Sequence, residues 1–489
     1  MGKILKGIIS VMFSSISAII VSIIYQPLLA RLAGINLYGE IATVLAWYVI
    51  LQTIFSFGMF DAVRKYVSDK INKKNNDVII ISIIIPLLIA LIFYLIMFIL
   101  MTLFRYLNFI NKNYIIFLIV GISLIFSNVW ISVKGILYSY HKENYAEVYN
   151  VMSKIIQSII VILFVFYDYG IYSIAYALLI TGLAKFIFSI ILWKKHINVN
   201  FDIPNFFDEK NKKLMCKIFK FGLMSIPGIL SAKLLYKSDI LLINYFLGSG
   251  PAGIYKVALT LAEKLWLLPK AVQGIIFHNS SELWGQNKYK ELTNVFNKSL
   301  KYTNLFLILL GIGLFVLANP FISIVFGNDF VNAVIPLRIL IIGTFGFGVA
   351  RIFMSIFSAT AWLKVTQIIT IFVAITNVVL NYIMIPLYNI NGAAIATSFT
   401  YFLMLLFSLI YYYNNDLKFK VEFELFKMIG LTISFLICFY MLYLIMPELT
   451  IITIILTSFM GLMLFLIIAY IFKLLTKKEY LYIKNLLIN

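Results

Sequence analysis

Long runs of apolar residues alternate with short polar turns along nearly the whole of this chain. A run of about 20 apolar residues crosses the roughly 30 Å hydrocarbon core of a bilayer as a helix. The pattern yields about fourteen such spans, over 8–30, 39–60, 78–103, 114–138, 147–167, 171–193, 218–247, 251–275, 301–326, 331–358, 362–387, 391–413, 427–446 and 450–473. An all-α polytopic membrane protein is therefore expected, with little chain left over for a soluble domain.

Two turns recur. LARLAGINLYGEIATVL (Leu29 to Leu45) joins spans one and two, and INYFLGSGPAGIYKVAL (Ile243 to Leu259) joins spans seven and eight. Aligning Gly34 with Gly248 also aligns Gly39 with Gly253, at an offset of 214 residues. A second pair, YDYGIYSIAYALLIT (Tyr167 to Thr181) over PLYNINGAAIATSFT (Pro386 to Thr400), matches at an offset of 219. Both pairs sit at a polar turn between apolar helices, which implies an internal duplication. The organisation expected from it is an N-terminal lobe over 1–193, a cytoplasmic linker over 194–217 and a C-terminal lobe over 218–413. Two extra helices over 427–473 and a cytoplasmic tail over 474–489 follow.

Composition agrees: of 489 residues 62% are hydrophobic and 12% charged, against roughly 45–50% and 25% in soluble domains. The net charge of +20 would point to nucleic acid in a soluble chain, but here its placement decides. With both termini in the cytoplasm, 27 Lys and Arg fall on that side and only Arg31, Arg105 and Lys112 on the other. That is the positive-inside rule, and it excludes nucleic-acid binding as the meaning of the charge. Cys216 and Cys438 form no disulfide or metal motif. The basic start MGKILKG runs into an apolar stretch without a cleavage site and reads as an uncleaved first span; Lys6 breaks the myristoylation pattern. The outer loops, such as DYG, LGSGP and MPELT, are too short to house an active site. There is no P-loop and no HExxH, and His141, His196 and His278 stand apart from one another. ATP hydrolysis by this chain is therefore not expected, and no cofactor or metal is implied.

Ionisable residues within spans cost at least about 2.5–3.5 kcal/mol each, so each needs a partner, a wet cavity or a function. Lys134, Lys154, Lys185, Lys233, Lys237, Lys256, Lys264, Lys270, Arg338 and Arg351 lie inside or bordering spans, with Glu147, Asp239 and Glu263 as their acidic counterparts. At 100° per residue, Lys256, Glu263 and Lys270 share a stripe on span eight, and Lys233 and Lys237 share a face of span seven from which Asp239 points away. Glu147, Asn150, Lys154 and Gln157 make a third seam on span five. Two readings stand: seams lining a cavity that receives an anionic group such as phosphate, or lysines snorkelling to the interface beside structural ion pairs. Under the first, Lys233, Lys237, Lys256 and Lys154 bind the anion, while Glu263, Asp239 and Glu147 could carry a coupling proton or Na⁺. Pro27, Pro227 and Pro269 offer hinges.

Three stretches carry a family resemblance: PLLARLAGINLYGEIATV, FSFGMFDAVRKYVSDK and IPLYNINGAAIATSFTYFL. With them the chain resembles the polysaccharide transport family of the multidrug/oligosaccharidyl-lipid/polysaccharide exporter superfamily, which contains the O-antigen flippases. The resemblance implies two six-helix lobes related by a pseudo-two-fold axis along the membrane normal, plus two C-terminal helices. It further implies that polyprenyl-(pyro)phosphate-linked oligosaccharide is moved across the inner membrane by alternating access, with spans one, two, seven and eight lining the cavity. Membrane lipids, a glycan polymerase and chain-length proteins are the implied partners. The rival within the superfamily is a multidrug exporter, whose cationic substrates call for acidic cavity residues; span one here has none. A lipid II flippase would have arginine where the deep positions here are lysine, and a membrane-embedded glycan polymerase or ligase would need a large outer loop.

Overall fold

The structure is a computed structural model that describes residues 2–68, 76–104, 108–197, 204–360, 362–415, 420–421, 424–445 and 450–475. Among these residues there is no strand, and eleven helices are long and apolar enough to cross a bilayer. The protein is a multi-pass membrane protein. Its chain divides into two compact units, Met1–Leu241 and Leu242–Asn489.

The first unit holds α1 (Gly2–Ser56), α2 (Met59–Ser68), α3 (Asn76–Leu103), α4 (Asn108–Ser139), α5 (Glu143–Phe166) and α6 (Tyr172–Leu192), together with most of α7 (Glu209–Leu247). At 1.5 Å per residue, the 55 residues of α1 would exceed twice the bilayer thickness if straight. They do not run straight. Gly34 breaks the helix at φ 68°, ψ 176°, so α1 comprises two spans. A second break follows at Phe57 and Gly58, both with positive φ, and releases the short amphipathic α2. The expected start of span seven at residue 218 is not where the helix begins. α7 starts at Glu209, so part of the stretch expected to link the lobes is already helical. Leu214 and Ile218 of α7 are buried in the same core as Met59, Val63 and Val133. Phe219 stacks on Phe57 at 4.8 Å. A Cβ at Gly222 would stand 2.4 Å from the Phe57 carbonyl oxygen, a spacing only glycine allows. Residues 198–203 of that stretch, and 476–489 of the expected tail, lie outside the described residues.

The second unit holds the end of α7, α8 (Ser249–Lys264), α9 (Leu267–Gly285), α10 (Tyr289–Val316), α11 (Ala318–Val325), α12 (Val334–Ala359), α13 (Leu363–Asn414), α14 (Leu425–Ile445) and α15 (Ile451–Ile471). α13, at 52 residues, is again two spans, kinked at Asn389. Span eight is not the single helix its hydropathy implied: it is interrupted at Leu265 and Trp266, and Pro269 falls in the first turn of α9, where a missing N–H is harmless. The α14–α15 pair packs on α10, with Leu431, Phe435, Phe465 and Ala469 against Leu305, Ile308 and Ile312.

The duplication read from the two offsets is visible in the backbone. Gly248 takes φ 90°, ψ −179°, nearly the conformation of Gly34. Gly170 has φ 54° and its counterpart Asn389 φ 53°. Both matched pairs thus turn the chain at positive φ, and each unit also breaks its second span. A Cβ at Gly248 would have no neighbour within 4 Å, so side-chain crowding plays no part in selecting glycine there. Gly248→Ala should destabilise by about 1–3 kcal/mol through backbone strain alone. Gly274→Ala, at an equally open site inside α9, should instead be neutral or stabilise by about 0.5–1 kcal/mol. Thermal unfolding of the two variants in detergent checks the opposite signs.

Candidate functional site

α7 carries three of the residues singled out from the sequence. Lys233 is exposed, Lys237 four residues on is half-buried, and Asp239 is turned inward and 1% exposed. Helical spacing sets this division, since i and i+4 share a face and i+6 does not. Lys233 and Lys237 stand as like charges one turn apart, an arrangement that costs energy unless an anion or solvent screens it. On α8, Lys256 and Glu263 lie seven residues apart on one face and are both half-buried. Thr260 on the same stripe is buried, and its hydroxyl has no hydrogen-bond partner among the described residues. Lys270, expected on this stripe, falls on α9 beyond the helix break, where its ammonium sits 5.2 Å from the Trp266 ring centroid. Lys154, Lys237, Asp239, Lys256 and Glu263 each make at least one polar, ring or electrostatic contact.

Glu147 has the fullest set of partners. It is buried on α5, and its Oε1 accepts from the Lys134 ammonium at 2.7 Å and from the Tyr138 hydroxyl at 2.6 Å, both on α4. The Asn150 amide reaches Oε2 at 3.4 Å, and the Ser14 hydroxyl of α1 bonds the carboxylate as well. Lys134 also lies 6.0 Å from the Phe60 ring centroid, and the Arg64 guanidinium 5.8 Å from that of Tyr138. Side chains of three helices of the first unit, α1, α4 and α5, therefore meet at one carboxylate, and α2 packs on two of those side chains, Lys134 and Tyr138, through Phe60 and Arg64. The seam expected along α5 divides here: Glu147 turns into the unit, whereas Lys154 remains exposed.

In the second unit the arginines are anchored by neutral acceptors and aromatic rings. Arg351 donates to the Gln273 side-chain oxygen and lies over the Phe347 ring at 5.1 Å. Arg338 donates its Nε to the Phe315 carbonyl at 3.0 Å and lies 5.2 Å from the Phe315 ring centroid. A neutral cluster joins the two halves of α13. The Asn377 amide donates to the Thr397 and Thr400 hydroxyls at 3.1 and 3.2 Å, and Asn381 donates to the Asn377 oxygen at 3.1 Å. All four side chains are fully buried.

The sequence pattern singles out Lys134 and Glu147 without pairing them, and it does not mark the asparagine cluster. A signal existed for both. In a helical hairpin, residues equidistant from the turn face one another. Lys134 and Glu147 flank the Ser139–Glu143 turn almost symmetrically, and Asn377 and Thr397 flank the region of the Asn389 kink in the same manner.

Comparison with known proteins agrees with this architecture. The sequence profile of the family described as "Polysaccharide biosynthesis protein" matches residues 4–266, and that of the MatE family matches residues 239–383. An uncharacterized membrane protein, MJ1068 of Methanocaldococcus jannaschii, is 28% identical over 58% of this chain and 56% of its own. The protein named "Probable low-salt glycan biosynthesis flippase Agl15" of Haloferax volcanii is 25% identical over 46% of this chain and 47% of its own. The chain thus spans about half the length of the curated relatives it matches. The lipid II flippase MurJ, in an inward closed conformation, superposes with a TM-score of 0.75 over 96% of this chain and 98% of its own, at 18% identity, which shows a shared fold. By their printed names, the Haloferax relative and MurJ are flippases, and a further solved neighbour, a multidrug resistance MATE family transporter in an inward-facing conformation (TM-score 0.65, 14% identity, 82% of this chain and 97% of its own), is a transporter; none of these is an enzyme. Because the first profile extends over more than half of the sequence, the chain belongs to the polysaccharide biosynthesis protein family.

Proposed function

We propose that this protein is a flippase that carries polyprenyl-(pyro)phosphate-linked oligosaccharide from the cytoplasmic to the outer leaflet by alternating access, coupled to an ion gradient. The observation that carries the reading is the surplus of lysine over carboxylate on α7 and α8. Lys233, Lys237, Lys256 and Lys264 outnumber Asp239 and Glu263, and a phosphate-bearing head group is the cargo such a surplus suits. The name of the Haloferax relative and the fold shared with a lipid II flippase support it. In this reading Lys233, Lys237, Lys256 and Lys154 receive the phosphate, and Glu263, Asp239 or Glu147 carries the coupling ion. The lobes are 1–193 and 218–413, related by an axis along the membrane normal, and both termini lie in the cytoplasm, as the distribution of Lys and Arg supports. A glycan polymerase and chain-length proteins of the inner membrane would take up the product.

The MatE match over residues 239–383 favours a second reading, export of cationic drugs. That substrate class needs carboxylates facing the cargo, and the lysine surplus speaks against it. Of the coupling candidates, Glu147 is ion-paired with Lys134 at 2.7 Å.

In cells lacking their own flippase and supplied with this chain, the Lys233→Ala/Lys237→Ala/Lys256→Ala variant should lower surface display of the glycan at least tenfold. Lys→Arg at the same positions should keep part of it. Full display by the triple alanine variant would sink the role of these lysines. Glu263→Gln should remove the dependence of transport on the ion gradient in vesicles, and an unchanged dependence would return Glu263 to a structural role. Lys134→Met, which leaves Glu147 buried and unpaired, should cost about 3–5 kcal/mol of stability, and Lys134→Met/Glu147→Gln should recover most of it; thermal midpoints in detergent read both.

A further inference from the structure

The second unit contains a cavity of about 790 Å³, within the range of about 300–1,000 Å³ typical of ligand sites. Its wall is drawn from the α7–α8 turn, the α10–α12 connection, the kink of α13 and the end of α14. These connections are the ones that the distribution of Lys and Arg assigns to the outer side. Arg338 is the one charged side chain on its described wall, which Asn319, Asn332, Asn389, Asn391, Tyr440 and Tyr443 also line.

Three features mark this wall as built for a ligand. The Arg338 guanidinium is fixed from behind, through Nε on the Phe315 carbonyl and the Phe315 ring, and no other acceptor among the described residues takes its terminal nitrogens. A guanidinium held in this way presents its planar fork for a bidentate oxyanion. Asn391 lines the cavity beside Asn389, and its side-chain oxygen has no hydrogen-bond partner among the described residues, so a small turn of the amide would bring an unsatisfied acceptor to the wall. Tyr440 and Tyr443 stack at 6.1 Å and offer ring faces beside these polar groups.

The backbone supplies an independent argument. Asn389 holds φ 53°, ψ −141°, close to a region that only glycine enters without strain. The matching position in the first unit is Gly170. A glycine would serve the kink better, so an amide kept there at a conformational cost points to a use for the side chain, and that side chain lines the cavity.

We propose that this cavity binds an acidic sugar, with Arg338 holding its carboxylate or phosphate and the asparagines and stacked tyrosines receiving its hydroxyls and ring face. A bare phosphate would be matched by several cations or by backbone N–H groups; a single guanidinium among amides and phenols suits an anion embedded in a polyhydroxylated molecule. The site lies within the second unit and involves none of the lysines assigned to translocation, so its binding can be measured whether or not the chain flips lipids.

The test is calorimetric titration of the purified chain in detergent with tetragalacturonate, with maltotetraose as the neutral counterpart and inorganic phosphate as the simple anion. Saturable binding of tetragalacturonate, at least tenfold tighter than either control, is expected. Arg338→Gln should weaken it at least tenfold. Asn389→Gly should weaken it as well while raising Tm by about 1–3 °C through relief of strain, a pair of opposite effects that damage to the fold could not produce. Absence of saturable tetragalacturonate binding by the unaltered chain would overturn the proposal. So would binding that both variants leave unchanged, or phosphate binding as tight as that of the sugar.

Discussion

Hydrocarbon offers no partner to a loosened backbone N–H or C=O, and the shape of this protein follows from that constraint. Gly34, Phe57–Gly58, Gly170, Gly248 and Asn389 take positive φ at ends of spans, and the one break within a span described above, at Leu265 and Trp266, keeps near-helical backbone. Two of these breaks divide helices of 55 and 52 residues, which would otherwise overshoot the membrane. The same constraint explains why the duplication survives as a repeated set of turns. Apolar faces tolerate exchange among Ile, Leu, Val and Phe, whereas a chain that must reverse within two or three residues has few ways to do it.

Charge within the spans is governed by the companion constraint that a desolvated ion needs a counterpart. The first unit meets it with Glu147, gathered by Lys134, Tyr138, Asn150 and Ser14 from three helices and overlooked by Arg64 through the Tyr138 ring. The second unit uses aromatic rings and neutral acceptors instead: Phe347 and Gln273 for Arg351, Phe315 and its carbonyl for Arg338. On α7, Lys233 and Lys237 place two like charges one turn apart. The two units, alike in their turns, thus differ in their polar chemistry, and the asparagines at the kink of α13 replace residues that in the first copy are Gly170 and Tyr172.

The sequence by itself determined the class of fold, the repeat and the positions of its turns, because bilayer thickness and the glycine requirement of a sharp reversal act on local composition and need no knowledge of neighbours. It also identified the ionisable residues, since each is conspicuous in an apolar run. Only the tertiary structure decided which of them meet. Lys134 and Glu147 are apart in sequence and come together because α4 and α5 form a hairpin; Lys270 left the stripe of Lys256 and Glu263 because the chain breaks at Leu265 and Trp266, which hydropathy does not register. Arg338 read as one border arginine among ten basic residues, and it acquired a setting only when four separate connections closed around it. Periodicity describes what one helix presents, whereas partners and cavities are made by side chains from different helices, and no pattern along a single helix encodes that meeting.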